Sequence, residues 1–179
     1  MTNPMHPTGT DRLSEVVQSL KLSDNEIVVN VQGDEPLIPP ELINKVAQTL
    51  NTHPQAAIAT AALAITDPEE INNPNVVKVV FNQEQEALYF SRAPIPFARN
   101  PKEFSAPYYR HIGMYAYRAG FLKAFAQLSP APIEQAESLE QLRALYNGYK
   151  IAVTITPMAP PPGVDTAEDL ERVRKLLGH

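Results

Sequence analysis

The most constraining feature of this chain is an apolar, β-branched run that ends abruptly in a polar turn, Glu26-Ile-Val-Val-Asn-Val-Gln-Gly-Asp-Glu-Pro36. Val and Ile at this density favour a buried strand of an α/β sheet, and the glycine and proline that follow end it. Ligands of open α/β sheets bind just beyond the carboxyl ends of strands, so Gln32, Asp34 and Glu35 fall where chemistry takes place. Carboxylates beside a glycine suit a hard cation that holds phosphate oxygens, whereas a solvated turn is the simpler alternative.

Composition indicates one globular domain with a sizeable core. The chain has 179 residues, of which 44% are apolar and 20% charged, which are ordinary values for a globular protein. A net charge of −5 without a Lys/Arg run gives no support for binding to nucleic acid. No segment has the roughly 20 apolar residues of a membrane span, and without a targeting signal the expected location is cytoplasmic. The absence of cysteine excludes disulfides, thiolate metal sites and a thiol nucleophile.

Helical and strand patterns alternate along the chain, which predicts an α/β fold. Apolar residues recur at helical spacing in residues 10–20, 40–50, 119–128, 138–146 and 166–177. Strand patterns occupy residues 27–31, 57–65, 76–81, 87–91, 109–117 and 150–156. Thr10 is expected to cap the first helix, and Thr166 with Asp169 forms a capping-box-like start for the last. A proline-marked segment, residues 94–107, is long enough to predict a functional loop or a partner contact.

The start of the chain is unusual for an α/β nucleotide-binding sheet. Such sheets begin with a strand and a phosphate-binding loop, whereas this chain begins with a loop and a helix. Neither a Gly-x-Gly-x-x-Gly nor a Walker-type sequence is present. A phosphate would therefore have to be held by other means.

Polar residues at two further element ends are candidates for phosphate and metal chemistry. Arg12 follows Thr8-Gly-Thr-Asp at the start of the first helix, where backbone N–H groups can bind an anion, although an ordinary cap explains the motif equally well. Asp165 precedes the last helix, where capping is the stronger expectation. With Asp34 as its partner, Asp165 could instead hold one Mg²⁺ whose remaining positions are filled by substrate phosphates.

A second group of side chains suits a polyhydroxylated acid, because cations bind a carboxylate while His, Tyr, Gln and Glu hydrogen-bond to hydroxyls. Its members are Lys78, Arg92, Arg110, His111, Tyr115, Glu140 and Gln141. Each also has a simpler structural interpretation as an edge charge, a core aromatic or a solvated helix residue. His111 has no second histidine at metal-ligand spacing, and no serine lies in an acyl-transfer motif.

In these motifs the chain resembles the 3-deoxy-manno-octulosonate cytidylyltransferase family (CMP-Kdo synthetases). The matching segments occur in family order and span nearly the whole chain. They are residues 8–12 (TGTDR), 28–36 (VVNVQGDEP), 73–80 (NPNVVKVV), 87–96 (ALYFSRAPIP), 110–118 (RHIGMYAYR), 138–143 (SLEQLR) and 163–170 (GVDTAEDL). Each segment alone is weak, and together they are highly specific.

The resemblance implies transfer of CMP from CTP to 3-deoxy-D-manno-octulosonate (Kdo), with release of pyrophosphate, for lipopolysaccharide assembly. It implies a Mg²⁺-dependent cytoplasmic homodimer and a mixed, mostly parallel nucleotidyltransferase-type (Rossmann-like) sheet flanked by helices. Asp34 and Asp165 would bind Mg²⁺ and act in catalysis with Arg12, while Arg12 and Gln32 would border nucleotide and sugar. The sugar-acid pocket would be lined by Lys78, Arg92, His111, Tyr115, Glu140 and Gln141. Residues 94–107 would belong to the dimer region.

One departure from the family pattern matters for activity. The family opens with a strand and a Ser-x-Arg-Leu-Pro-Gly-Lys-Pro loop that grips the CTP triphosphate, and this segment does not occur here. Residues 1–179 are therefore expected to form a single domain equivalent to the C-terminal two-thirds of the family domain. We expect little or no transferase activity from this polypeptide alone and an exposed apolar sheet edge.

Two alternatives stay open at this point. A CMP-sialic-acid-type synthetase shares the chemistry, although it lacks the pairing of residues 138–143 with residues 163–170. A non-catalytic binding or dimerisation remnant of the same fold is the alternative from a different class. Mg²⁺-dependent binding of CMP or Kdo separates an enzyme from such a remnant.

Overall fold

The computed structural model describes residues 2–6, 8–100, 106–158, 160–161, 163–164 and 166–178. Its helices are α1 (Gly9–Ser19), α2 (Pro40–Thr52), α3 (Pro68–Asn72), α4 (Ala119–Phe125), α5 (Pro132–Glu137), α6 (Gln141–Tyr146) and α7 (Ala167–Leu176). Its strands are β1 (Ile27–Asn30), β2 (Ala56–Ala64), β3 (Lys78–Phe81), β4 (Ala87–Ser91), β5 (Tyr109–Arg118) and β6 (Lys150–Ile155). No helix in the described part of the chain is both long and apolar enough to cross a membrane.

The strands form one sheet of order β4-β3-β5-β2-β6, with β1 also paired to β5. The long strand β5 organises this sheet. Its residue Tyr115 pairs with Thr60 of β2 on one edge and with Asn30 of β1 on the other. Arg110, nearer the start of β5, pairs with Lys78 of β3. Strands β3 and β1 therefore follow one another along the same edge of β5.

The predicted mixed α/β sheet is confirmed, but most of its hydrogen-bonded neighbours are antiparallel. Of the pairs formed by described strands, only β2 with β6 is parallel. Four strands (β1, β2, β3 and β6) nevertheless run in one direction. The difference arises because β5 runs the opposite way and lies between β2 and the pair β1 and β3. Among the described strands β1 pairs with β5 alone, and its four residues are half-buried.

Apolar side chains on both faces of the sheet are covered by helices. On one face, Leu42, Val46 and Leu50 of α2 pack against Ile112 and Met114 of β5. The opposite face packs against α1, α4 and α6, and its cluster of buried side chains includes Val17, Tyr117, Phe121, Phe125 and Leu142. The alternation of side chains along β5 thus sends Ile112 and Met114 to one side and Tyr117 to the other.

Helix boundaries differ from the predictions in two informative places. Helix α1 begins at Gly9 and its N-cap is Thr8 rather than Thr10, since the Thr8 hydroxyl accepts from the backbone N–H of Asp11 at 3.2 Å. The predicted helix 138–146 begins only at Gln141, because Ser138 adopts a left-handed conformation that ends α5. The predicted capping box of Thr166 and Asp169 on α7 is confirmed.

Candidate active site

A bulge in β5 brings His111 and Tyr115 together. The register passes from Thr60 opposite Tyr115 to Ala61 opposite Ile112, so β5 carries two extra residues at this point. Residues four apart in a regular strand are about 13 Å apart. Here the ring centroids of His111 and Tyr115 are separated by only 5.3 Å. The bulge therefore places both predicted site residues beside one another on the same face of the sheet.

His111 is held by specific neighbours and is neutral. Its ring packs edge-on against Phe90, with the centroids 5.0 Å apart. Its Nε2 lies 2.9 Å from the hydroxyl oxygen of Thr60. Removal from water lowers the pKa of His111 to about 3, so at neutral pH the imidazole is an uncharged hydrogen-bonding group.

Tyr115 lines a small polar-edged cavity together with Glu140, the N-cap of α6, and Gln141, its first residue. The cavity has a volume of about 30 Å³, and its polar lining residues are Thr10, Tyr115, Tyr117, Glu140 and Gln141. The Oε1 atom of Glu140 is buried and has no hydrogen-bond partner among the described residues. Burial, then Tyr117, then the Glu140 carboxylate raise the pKa of Tyr115, which therefore remains a phenol. An unpaired buried carboxylate beside two phenols is ready to accept hydrogen bonds from a ligand.

Lys78 does not belong to this cavity. The side chain is completely buried, and its amine donates to three backbone carbonyls, those of Asn73 at 2.9 Å, Val76 at 2.6 Å and Arg92 at 2.6 Å. Because an ammonium group has three donors, none is left for a ligand. Desolvation lowers the pKa of Lys78, and the charge of Glu137 opposes this shift. In this structure Lys78 ties β3 to the end of β4.

Arg92 also serves local architecture here. Its Nε donates to the Glu137 carbonyl at 2.7 Å and one terminal nitrogen donates to the carbonyl of Pro74 at 3.0 Å. The Glu137 carboxylate in turn accepts from the Ser91 hydroxyl at 2.5 Å and from the Arg92 backbone N–H at 2.9 Å. These contacts join the end of β4 to the end of α5, and they give Arg92 a structural role in this region.

The loop after β1 follows directly from the strand residue that pairs with Tyr115. Asn30, the last residue of β1, pairs with Tyr115, and Gln32, Asp34 and Glu35 follow within five residues. Gln32 and Asp34 are exposed and Glu35 is half-buried. The acidic loop therefore starts two residues after the backbone pair of Asn30 and Tyr115, and its polar residues follow the end of a strand, as the strand-end argument predicts.

The segment before α7 packs directly against this acidic loop. The Val164 N–H donates to the Asp34 carbonyl at 2.7 Å. Gly163 approaches so closely that a Cβ there would lie 2.9 Å from the same oxygen, which explains why glycine is needed at this position. Asp165, the second predicted metal ligand, follows Val164 in the chain and lies outside the described residues.

Electrostatics in the acidic loop favour a cation. Burial, and secondly the charge of Asp34, raise the pKa of Glu35 above its ordinary value. Two neighbouring carboxylates repel each other, and a bound cation relieves that repulsion. No group of three or more His, Asp or Glu side chains able to hold a metal occurs among the described residues.

Arg12, a predicted site residue, does not line the cavity in this structure. The side chain is exposed and donates to the Thr2 hydroxyl at 2.6 Å. Its neighbour Thr10 is buried in the same helix and lines the cavity. The N-terminal turn of α1 thus reaches the cavity through Thr10 rather than through Arg12.

Sequence reasoning missed three residues that shape the site. Thr60 lies in an Ala-rich strand and contacts His111, Thr10 was assigned to a helix cap, and Tyr117 was assigned to a strand without a site role. The spacing of Tyr115 and Tyr117, two residues apart on one strand face, was an available signal for Tyr117. Thr60 had no such signal, because its contact depends on the bulge in the neighbouring strand.

Known proteins match this chain over nearly its whole length. The model of the cytidylyltransferase family matches residues 1–151. The 3-deoxy-manno-octulosonate cytidylyltransferase of Polynucleobacter asymbioticus is 67% identical over 100% of this chain and 71% of its own length. The enzyme of the same name from Nitrosococcus oceani is 54% identical over 99% of this chain and 71% of its own length.

A solved structure agrees with these sequence relatives. The structure of CMP:2-keto-3-deoxy-manno-octonic acid synthetase complexed with CTP aligns with a TM-score of 0.88 and 44% identity, covering 99% of this chain and 71% of that one. The mixed sheet, its polar strand-end loops and these likenesses define a cytidylyltransferase. More narrowly, the chain belongs to the 3-deoxy-manno-octulosonate cytidylyltransferase family.

Proposed function

We propose that this protein transfers CMP from CTP to Kdo, giving CMP-Kdo and pyrophosphate for lipopolysaccharide biosynthesis. The observation that carries the proposal is the pairing of Asn30 with Tyr115. A carboxylate loop suited to nucleotide phosphates starts two residues after this contact, and Tyr115 itself lines the cavity suited to a hydroxylated acid. Family membership supplies the identity of the two substrates.

The sugar acid is assigned to the side of the sheet where Tyr115, Glu140 and Gln141 line the small cavity and His111 lies against Tyr115, so the cavity of about 30 Å³ would hold only part of the ligand. Tyr115 and Gln141 can donate hydrogen bonds, while Glu140 can accept them from sugar hydroxyls. The unpartnered Glu140 Oε1 supports this assignment, because a buried carboxylate oxygen without a partner is unfavourable until a donor arrives. Lys78, whose three donors bind backbone carbonyls, and Arg92, two of whose five donors do so, are not included in the proposed pocket.

Asp34 and Asp165 are proposed to hold Mg²⁺. Support comes from the hydrogen bond of Val164 to Asp34, which fixes the backbone of one segment against the other one residue before Asp165. Burial, and secondly the charge of Asp34, raise the pKa of Glu35, and a cation bound in this loop would offset the repulsion between the two carboxylates. When bound, Mg²⁺ would neutralise phosphate charge and orient the triphosphate.

The proposed reaction is a direct displacement. The anomeric hydroxyl oxygen of Kdo attacks the α-phosphorus of CTP, a new oxygen–phosphorus bond forms, and the bond to the pyrophosphate oxygen breaks. The hydroxyl proton is lost to solvent or to a neighbouring acceptor. The protein contributes chiefly by orienting the sugar hydroxyl and excluding water, and no covalent enzyme intermediate is needed.

A homodimer is proposed from an apolar groove beside the proline-marked segment. The groove has a volume of about 680 Å³, and its lining includes Ile65, Ile71, Pro94, Phe97 and Tyr108. Phe97 is 85% exposed, an unusual state for a large aromatic side chain unless a partner covers it. Because CTP is a cytoplasmic metabolite, the cytoplasm is the proposed location.

The test is selective binding and turnover with two sugar acids. Calorimetric titration with Kdo and with N-acetylneuraminate, each in the presence of CMP and Mg²⁺, is expected to show binding of Kdo alone. Pyrophosphate release with CTP is expected to follow the same preference in a polypeptide that also carries the family's Ser-x-Arg-Leu-Pro-Gly-Lys-Pro segment, whereas residues 1–179 alone are expected to release little or none. Glu140→Gln should weaken Kdo binding about tenfold, the effect of one charged hydrogen bond, whereas the exposed control Glu171→Gln should not. Preference for N-acetylneuraminate would contradict the proposal, and binding of neither acid would favour a non-catalytic remnant.

A further inference from the structure

Thr60 is a completely buried hydroxyl at the centre of the β5 bulge. Its oxygen lies 2.8 Å from the Met114 carbonyl oxygen, 3.1 Å from the Ile112 carbonyl oxygen and 2.9 Å from His111 Nε2. Three polar atoms therefore surround one hydroxyl, which has a single proton to donate.

The direction of these hydrogen bonds follows from the chemistry of the three neighbours. Carbonyl oxygens can only accept, so the Thr60 proton must point to Met114 or Ile112. If it pointed to His111 instead, the hydroxyl lone pairs would face two carbonyl oxygens at hydrogen-bond distance, which is repulsive. Thr60 therefore accepts a hydrogen bond from His111, and the imidazole proton lies on Nε2.

This arrangement leaves Nδ1 of His111 as an unprotonated acceptor. No hydrogen-bond partner of Nδ1 is seen among the described residues, and part of the residue His111 stays accessible to solvent. Its pKa of about 3 keeps the ring neutral at physiological pH. A neutral ring with its proton fixed at one nitrogen presents a defined acceptor at the other.

We propose that Thr60 is a positioning residue for the sugar-acid pocket. Its hydroxyl holds His111 in the Nε2–H tautomer, so that Nδ1 accepts a hydrogen bond from a ligand hydroxyl. The inference rests on the proposed function, since it assigns His111 to that pocket. It also specifies the ligand chemistry: His111 Nδ1 and the free oxygen of Glu140 are both acceptors, so the ligand must offer at least two hydroxyl donors.

The tautomer can be measured without any substrate. Nitrogen-15 NMR of the imidazole rings distinguishes Nε2–H from Nδ1–H, and the signal of His111 is identified among the four histidines by its loss in His111→Asn. We expect a single Nε2–H tautomer whose proton exchanges slowly with water. In Thr60→Val, which keeps the side-chain shape, that proton should exchange at least tenfold faster, whereas Thr60→Ser should retain slow exchange.

Binding of the sugar acid gives the second readout. Thr60→Val should raise the dissociation constant of Kdo about tenfold, corresponding to one hydrogen bond of about 1.4 kcal/mol. Thr60→Ser should stay within threefold of the wild type, as should Thr154→Val, which removes a buried hydroxyl from the neighbouring strand β6.

Two results would overturn the inference: a proton on Nδ1 in the unaltered protein, or an Nε2 proton equally protected in Thr60→Val and the wild type. The first needs no variant and so does not depend on the folding of Thr60→Val. Because both are spectroscopic and substrate-free, they are distinguishable from failure of the proposed transferase function, which would appear as absence of Kdo binding in the wild type.

Discussion

Replacement of Lys78 by methionine tests whether this buried cation supports the fold or binds the ligand. The substitution keeps the length of the side chain and removes the amine that donates to the carbonyls of Asn73, Val76 and Arg92. Each charged hydrogen bond contributes about 1.5–3 kcal/mol, so three represent roughly 4–9 kcal/mol. Removing the ammonium also relieves a desolvation penalty of several kcal/mol. We expect a net loss of about 2–4 kcal/mol in the free energy of unfolding.

Urea denaturation measures this difference directly, provided that the dependence on denaturant is unchanged. Lys45→Met is the matched control, since Lys45 is exposed and donates only to the Ile155 carbonyl; its effect should be within about 0.5 kcal/mol. Folded Lys78→Met should bind Kdo within threefold of the wild type. Wild-type stability combined with a tenfold loss of Kdo affinity would refute the structural role and restore the ligand role predicted from sequence.

Three further predictions concern pH and assembly. The pKa of His111 is about 3 in the folded protein and 6.5 ordinarily, so between pH 3 and 6.5 the unfolded chain binds a proton that the folded chain does not. The free energy of unfolding should therefore fall with falling pH by up to about 1.4 kcal/mol per pH unit. Calorimetric unfolding of His111→Asn should lack this loss, and the same dependence of stability on pH in the variant and the wild type would contradict the prediction. The pKa of Glu35 is raised, so its effect on stability has the opposite direction, and the free energy of unfolding should fall as the pH rises above 4.5. In Glu35→Gln the free energy of unfolding should depend less on pH over this range, and an identical fall in the variant would contradict the prediction. Phe97→Ser should shift the protein toward monomer in light scattering, whereas Leu88→Ser, which changes another exposed apolar residue, should not; equal effects of both substitutions would argue against the groove as the dimer contact.

The main elements could be predicted from sequence because their signals are local. The strand predicted over residues 150–156 and the Thr166–Asp169 capping box depend only on neighbouring residues, and both are confirmed, although Ile151 to Thr154 are all buried rather than alternately buried and exposed. The break at Ser138 could not be predicted, since nothing in Ser138-Leu139-Glu140 requires a left-handed residue. The direction of β5, which makes most strand pairs antiparallel, depends on long-range pairing that periodicity does not contain.

The sequence predicted which residues belong to the candidate site better than it predicted how they are arranged. The structure brings His111 to Tyr115, and Tyr115 to Glu140 and Gln141. Lys78 shows what the sequence does not contain. A lysine next to a site motif is the same residue in the sequence whether its amine binds a ligand or three backbone carbonyls. Only the folded path of residues 73–76 and 92 decides between these outcomes.

Shared coordination of one divalent ion by Asp34 and Asp165 is the part of the mechanism that one titration can decide. Mn²⁺ in place of Mg²⁺, added in the presence of CTP and followed by electron paramagnetic resonance, reports bound metal directly. We expect Asp34→Asn and Asp165→Asn each to weaken Mn²⁺ binding by about tenfold or more, with the exposed Glu41→Gln unchanged. Wild-type affinity in either aspartate variant would show that the two side chains do not share an ion and would contradict the proposed mechanism.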